Sequence, residues 1–315
     1  MPEKPLIILT GPTAVGKTNL SLELARAVGG EIISADSMQV YKHMDIGSAK
    51  IKKEEMDGIP HYLIDEFEPW DEFNVVIFQL RCQKHIETVY EHGKLPILTG
   101  GTGFYIQAVR NDIDFTLARE DQDYRLYLET LAARAPEQLY DMLRKVDPAS
   151  AVSIHINNNK RIIRALEFHH LTGMRISEHN EQERQKEAAY KSCYFVLNDE
   201  REALYARIDR RVDEMISGGL VEEVKKLREM GCHDKMVSMQ GLGYKEILRY
   251  LEQEITLDEA VYLIKRDTRH FAKRQLTWFR REKDVIWIDK SKFLYDDSKI
   301  LSFMIMKLQQ KGIMD

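Results

Sequence analysis

Eight residues near the amino terminus, Gly11, Pro12, Thr13, Ala14, Val15, Gly16, Lys17 and Thr18, follow the pattern GxxxxGK[ST]. Such a loop, set between a strand and a helix, cradles phosphate. Its glycines let consecutive backbone N–H groups turn inward, and the helix that follows presents its positive end. Lys17 supplies a cation for terminal phosphate oxygens, and the Thr18 hydroxyl is a ligand for Mg²⁺. Taken alone, the loop reads as that of an ATP- or GTP-using enzyme. The guanine-reading motif Asn-Lys-x-Asp is absent, so the loop by itself supports a small-molecule kinase using ATP. Two strings, Tyr62-Leu63-Ile64-Asp65 and Trp287-Ile288-Asp289, end an apolar run in an acid. Either would give such a kinase its magnesium-binding strand, or be no more than a strand end. Asp36 follows another apolar run and opens Asp36-Ser37-Met38-Gln39-Val40-Tyr41. A carboxylate there is a metal-shell ligand, a general base or a turn residue. Gly100-Gly101-Thr102-Gly103 follows a further run, and in open parallel sheets ligands bind beyond the carboxyl ends of the strands.

The elements that must position these loops show in the periodicity. Leu6-Ile7-Ile8-Leu9, residues 31–35 and residues 95–99 are short apolar strands, whereas residues 19–28 and 73–89 carry helical spacing. Strands alternating with helices predict a parallel, doubly wound sheet with right-handed crossovers. From about residue 117 to 190 the strand signal gives way to helical patterns at 121–134, 136–145 and 158–171, the last closed by Gly173. A strand returns at 193–197. Residues 202–230 read as one long amphipathic helix. A helix at 257–281, a strand at 285–288 and a terminal helix complete the chain. The expected fold is α/β: a P-loop NTPase-like parallel sheet flanked by helices, formed by residues 1–116 and 191–315, with an all-helical insertion at 117–190.

Composition narrows the class. The chain has 315 residues, 43% hydrophobic and 31% charged, with 8 Pro and 17 Gly, which excludes disordered and collagen-like proteins. Its 3 cysteines are far apart and form no CxxC pair, so neither a disulfide framework nor a structural zinc is expected, and free thiols suit a reducing compartment. The first apolar run is too short for a signal peptide or a membrane span. A soluble cytoplasmic protein with no membrane partner is the expectation. The net charge of −5 hides a polarised distribution. Residues 265–283 carry eight Lys/Arg against two acids, while residues 54–72 carry eight acids and no Lys or Arg. The basic run is either a face for phosphates or a solvated helix surface.

The strings GPTAVGKT, ADSMQVYKHMDIGSAK, GGTGFY, NNNKRIIRALE, GLVEEV, QGLGYKE and TRHFAKRQLTWFR occur in this order. In order and spacing the chain resembles the tRNA dimethylallyltransferases over nearly its whole length. The resemblance implies transfer of a dimethylallyl group from dimethylallyl diphosphate to N6 of adenosine-37, in tRNAs reading codons that begin with U. It implies that residues 11–18 hold pyrophosphate rather than a nucleotide, and that Thr18 places Mg²⁺ on the leaving group. Asp36 then takes the N6 proton, and Thr102 contacts the target nucleotide. Arg125, one residue beyond the family spacing after GGT, carries over as a contact to the leaving group and tRNA. Asp36, Ser37, Met38 and Gln39 match the segment that reads an adenine flipped out of its stack. Lys160, Arg161 and Arg164 carry over as contacts to tRNA or pyrophosphate. Lys273, Arg274, Arg280 and Arg281 are expected on the phosphate backbone, with Trp278 and Phe279 in the core. A monomer is expected, its helical insertion moving as a lid over the site. The sequence departs from the pattern at His43, where glycine is commoner, at Ser48, where threonine is, and after Lys50, where no proline follows.

Overall fold

The computed structural model describes residues 4–115, 121–186 and 188–314. Six strands among them form one sheet: β1 (Pro5–Thr10), β2 (Gly30–Ala35), β3 (His61–Tyr62), β4 (Leu95–Gly100), β5 (Lys191–Asn198) and β6 (Val285–Asp289). Their order is β3-β2-β4-β1-β5-β6, and every neighbouring pair is parallel. The strands read as unbroken apolar runs because both faces of the sheet are covered. Leu6 and Ile8 share one core with Ile33, Leu98, Tyr194 and Val196, under helix Val75–Glu91. Ile7 and Leu9 share the other with Ile32, Ile97, Phe195 and Leu197, under helix Lys17–Val28. Parallel strands set side by side bring the loops after β1, β2 and β4 to one end of the sheet. There the Thr10 hydroxyl donates to the Gly100 carbonyl oxygen at 2.6 Å, tying two of those ends together.

Residues 111–188 form a compact unit of their own, and the residues before and after them form another. The expected boundary at 116/117 lies outside the described residues. Helices Gln122–Arg134, Pro136–Val146, Pro148–Ser153, Asn159–Thr172 and Ile176–Gln185 make up the smaller unit. They bury Leu128, Leu139, Leu143, Ile162, Ile163 and Leu166. The spacing of 162, 163 and 166 puts one face of helix Asn159–Thr172 inward and leaves Lys160, Arg161 and Arg164 exposed.

Two expectations need correction. The single helix at 202–230 is two, Arg201–Ser217 and Leu220–Glu229. The chain breaks at Gly218 and Gly219, the latter in the left-handed region at φ 102°, which glycine reaches without steric cost. The string ending at Asp65 is not a strand beyond Tyr62: Leu63 and Asp65 have φ of 60° and 55°, and Asp65 accepts from the Lys50 ammonium. Asp289 does end β6, but its carboxylate is held by Asn198 Nδ2 at 2.7 Å and Lys292 Nζ at 2.9 Å. Neither acid is among the residues lining the cleft described below.

Candidate active site

A cleft opens at the carboxyl end of the sheet, lined by Thr13, Ala14, Gly16, Lys17 and Thr18 from the first loop and by Asp36 and Gln39 from the second. Ser48, Ala49, Ile51, His61 and Ile64 form another wall, with Gly100, Gly101, Arg211, Phe271 and Gln275 also facing in. The first loop is shaped by backbone constraint. Gly16 sits at φ 98° before helix Lys17–Val28, and Ala14 is left-handed at φ 62°. A Cβ on Gly11 would lie 2.6 Å from the Leu197 carbonyl oxygen, so the loop lies directly against β5. Lys17 Nζ donates to the carbonyl oxygens of Gly11 at 3.0 Å and Pro12 at 2.8 Å. Burial, reinforced by the Arg211 guanidinium and partly opposed by Asp36, lowers its pKa to about 7.

Asp36 begins a tight turn. Its Oδ1 accepts from the N–H groups of Met38 at 2.8 Å and Gln39 at 3.3 Å, and Oδ2 has no hydrogen bond among the described residues. The Gln39 side chain is already engaged: Nε2 donates to the carbonyl oxygens of Ser48 at 3.3 Å and Ala49 at 3.4 Å, and Oε1 accepts from Ser34 Oγ. His61 Nδ1 lies 2.8 Å from the Ile59 carbonyl oxygen, and burial holds the ring's pKa below the usual histidine value.

Two contributors escaped the sequence reading. Arg211, on helix Arg201–Ser217, faces the cleft with no ion pair among the described residues, and burial lowers its pKa. Nothing in the surrounding helical periodicity singles it out from its neighbour Arg210. Gln275, on helix Leu257–Phe279, accepts from the Thr13 N–H and donates to the Gly101 carbonyl oxygen, both at 2.9 Å. It lies inside the string AKRQLTWFR, where the cations drew attention instead. Its approach explains a glycine: a Cβ on Gly101 would lie 2.2 Å from Gln275 Nε2.

The remaining candidates are distributed as follows. Gly11, Pro12 and Val15 are buried in the loop rather than lining the cleft. Ser37 and Met38 flank the Asp36 turn, and Met38 packs on the core. Thr102 precedes helix Gly103–Arg110, and its N–H donates to the Ala35 carbonyl oxygen at 3.2 Å. Arg125, Lys160, Arg161 and Arg164 belong to the helical unit. Arg125 pairs there with Glu129 and Glu167 at 3.0 and 3.3 Å. The basic run 265–283 divides: Lys265 and Arg269 are neutralised by Asp213 and Asp209, and Arg266 by Asp267. Lys273, Arg274, Arg280 and Arg281 have no ion pair among the described residues. Phe279 is fully buried, as expected of a core residue.

Residues 39–282 match the family model for IPP transferase, and residues 4–70 match that for isopentenyl transferase. The chain belongs to the IPP transferase family. It is 58% identical over 311 residues to a tRNA dimethylallyltransferase of Lachnoclostridium phytofermentans, covering 98% of this chain and 99% of that one. A crystal structure of a full-length tRNA isopentenylpyrophosphate transferase from Bacillus halodurans is similar, with a TM-score of 0.74 and 44% identity over 98% of both chains. A eukaryotic dimethylallyltransferase acting on tRNA superposes with a TM-score of 0.78 at 31% identity, covering 91% of this chain and 74% of that one. Membership of this family agrees with the parallel sheet and its phosphate loop, a P-loop NTPase-like fold. The kinase reading, open to the loop alone, gains nothing from these relatives.

Proposed function

We propose that the protein transfers a dimethylallyl group from dimethylallyl diphosphate to N6 of adenosine-37 in tRNAs that read codons beginning with U, releasing pyrophosphate. One juxtaposition carries the reading: Asp36, with one oxygen unbonded, shares a cleft with Lys17, Arg211 and Thr18. The N6 lone pair is delocalised into the purine ring, so the amine becomes nucleophilic as its proton leaves. Because Oδ1 is tied into the turn, Oδ2 is the Asp36 oxygen suited to accept that proton. The N6–C1 bond forms, the C1–O bond breaks, and the electron pair departs with pyrophosphate. Lys17 and Arg211 supply positive charge for that leaving group, with N–H groups of the loop. The Thr13 N–H is excluded from this set, since it already serves Gln275. Ile32, Ile51 and Ile64 give the cleft an apolar wall compatible with an allyl group.

Thr18 is exposed at the mouth of the helix and fits Mg²⁺ held largely by diphosphate oxygens and water. Bound there, Mg²⁺ would neutralise charge on the leaving group. For tRNA, the cations Lys160, Arg161, Arg164, Lys273, Arg274, Arg280 and Arg281, which have no ion pair among the described residues, suit phosphate contacts, and Thr102 suits the target nucleotide. Arg125 carries the family's contact to the leaving group and tRNA, for which it would exchange a carboxylate partner. No described helix is long and apolar enough to cross a membrane, and all three cysteines are free and buried, which suits a cytoplasmic setting.

The test is incubation with Mg²⁺, labelled dimethylallyl diphosphate and unmodified tRNA, followed by nucleoside analysis. Label on N6 of the adenosine beside the anticodon is the expected result. A folded protein that leaves both substrates intact would overturn the reading.

A further inference from the structure

We infer that Glu223 is a positioning residue for this reaction, holding residues 45–49 in place as a wall of the cleft although it does not line the cleft itself. The inference rests on the prenyl-transfer reading above. Glu223 lies in the first turn of helix Leu220–Glu229, carried there by the left-handed Gly219. Its Oε2 accepts from the N–H groups of Asp45 at 3.0 Å and Ile46 at 2.7 Å. Its Oε1 accepts from the Gly47 N–H at 3.1 Å and the Tyr244 hydroxyl at 2.8 Å. Three successive backbone N–H groups thus converge on one carboxylate, the arrangement by which a concave stretch of backbone binds an anion. Charge assistance makes each of these bonds stronger than a neutral one. Tyr244 is fully buried, and a Cβ on Gly47 would lie 2.5 Å from its ring, so only glycine lets the segment approach this closely.

The segment keeps its own shape through internal bonds. Ala49 N–H donates to the Ile46 carbonyl oxygen, Lys50 N–H to that of Asp45, and Ser48 Oγ to that of Met44. What Glu223 adds is attachment of that preformed turn to another helix. The next two residues, Ser48 and Ala49, line the cleft and hold the Gln39 amide through their carbonyl oxygens. Gln39 in turn donates its N–H to Asp36 Oδ1. Glu223 therefore fixes the side of the cleft that bears the proposed base. The phosphate loop has independent supports, since Gln275 holds Thr13 and Arg207 Nε donates to the Ala14 carbonyl oxygen at 3.0 Å. Loss of Glu223 should slow transfer without weakening pyrophosphate binding. This also assigns work to the strings GLVEEV and QGLGYKE, which supply Glu223, Gly219 and Tyr244 but no residue of the cleft lining.

Glu223→Gln preserves volume but turns an amide donor toward backbone donors. It is expected to lower the single-turnover rate about tenfold, as small misplacements of reacting groups do. Inorganic pyrophosphate should bind as to the wild type, and deuterium uptake should quicken in the peptide covering residues 45–49. Tyr244→Phe removes one of the four bonds and should give a smaller rate loss with the same unchanged pyrophosphate affinity. It carries the test if Glu223→Gln does not fold. A folded Glu223→Gln with wild-type rate and unchanged uptake would overturn the assignment, and so would a rate loss matched by an equal loss of pyrophosphate affinity. Should the wild type form no N6 product, the reaction reading fails by itself, and the exchange data still decide whether Glu223 holds the segment.

Discussion

Because Met38 and Gln39 donate their N–H groups to Oδ1 of Asp36, the two oxygens of that carboxylate differ in what they can do. Asp36→Asn keeps an acceptor for the turn while removing the group that takes a proton. Transfer should fall by about 10²–10⁴, the range for losing a general base, with tRNA and pyrophosphate affinities and thermal stability retained. Equal loss of binding and folding would instead make Asp36 a structural residue. Lys17 poses the opposite question, since its pKa of about 7 leaves its own side chain only partly charged at neutral pH in the free protein. A bound diphosphate stabilises the ammonium and raises that pKa, so binding takes up protons, and affinity for inorganic pyrophosphate should weaken as pH rises above 7. Titration calorimetry in two buffers of different ionisation enthalpy measures the uptake. Lys17→Arg, whose guanidinium stays charged, should lack this component, and equal uptake in both proteins would remove Lys17 as its source. His43 shows how a residue can be legible without its reason. The resemblance leads one to expect glycine there, and the structure puts φ at 63°, a left-handed conformation that glycine adopts freely and that histidine tolerates better than most side chains.

At the scale of elements, helix Leu257–Phe279 does more than cover the sheet. A capping box at Thr256 and Glu259 starts it, and near its other end Gln275 ties the loops after β1 and β4 to each other. Gln275→Leu removes both bonds and leaves the Gly101 carbonyl and Thr13 N–H without their partner, which should cost about 1–3 kcal/mol of stability and loosen both loops. Gly101→Ala should act through the same contact, because the added methyl would occupy the position of the Gln275 amide. The two substitutions should therefore be non-additive, the double variant no worse than the more severe single one. Additive losses of stability and transfer rate would show that they act separately. Most strand positions and the three loops after β1, β2 and β4 could be read directly from the sequence, because short unbroken apolar runs and the turns that end them are local signals. Gln275 and Glu223 could not, because each works through partners far away in sequence (Thr13 and Gly101; Asp45 to Gly47), and a lone polar residue on a helix has no periodicity to betray it. The single helix expected at 202–230 failed for a related reason. Its apolar stripe continues past Gly218 and Gly219, and periodicity alone does not register a left-handed break.

Across the whole molecule, the net charge of −5 says little about where a polyanion would bind. The acidic run 54–72 is partly consumed in pairs such as Asp65 with Lys50 and Glu68 with Lys42. Part of the basic run is consumed likewise, which leaves Lys273, Arg274, Arg280, Arg281 and Lys283 without an ion pair among the described residues. The chain also divides into two compact units, and the smaller has a core and a keystone of its own. Asp147 is buried, and its two oxygens accept from the N–H and hydroxyl of both Ser150 and Ser177 at 2.7–3.0 Å. Burial alone would raise its pKa, but those four donors outweigh it and hold the carboxyl below its ordinary value of 3.8. A depressed folded-state pKa contributes stability that is fully present above that ordinary value and is lost as pH falls through the folded one. Asp147→Asn places an amide N–H among four donors, so it should cost residues 121–186 about 1–3 kcal/mol of protection, while peptides of β1, β2 and β4 exchange as before. Hydrogen exchange from pH 7 downward distinguishes the outcomes. The wild type should lose the extra protection of the helical unit only in acid, and the variant should lack it throughout. Equal loosening of both units would mean that the helical unit does not stand on its own core.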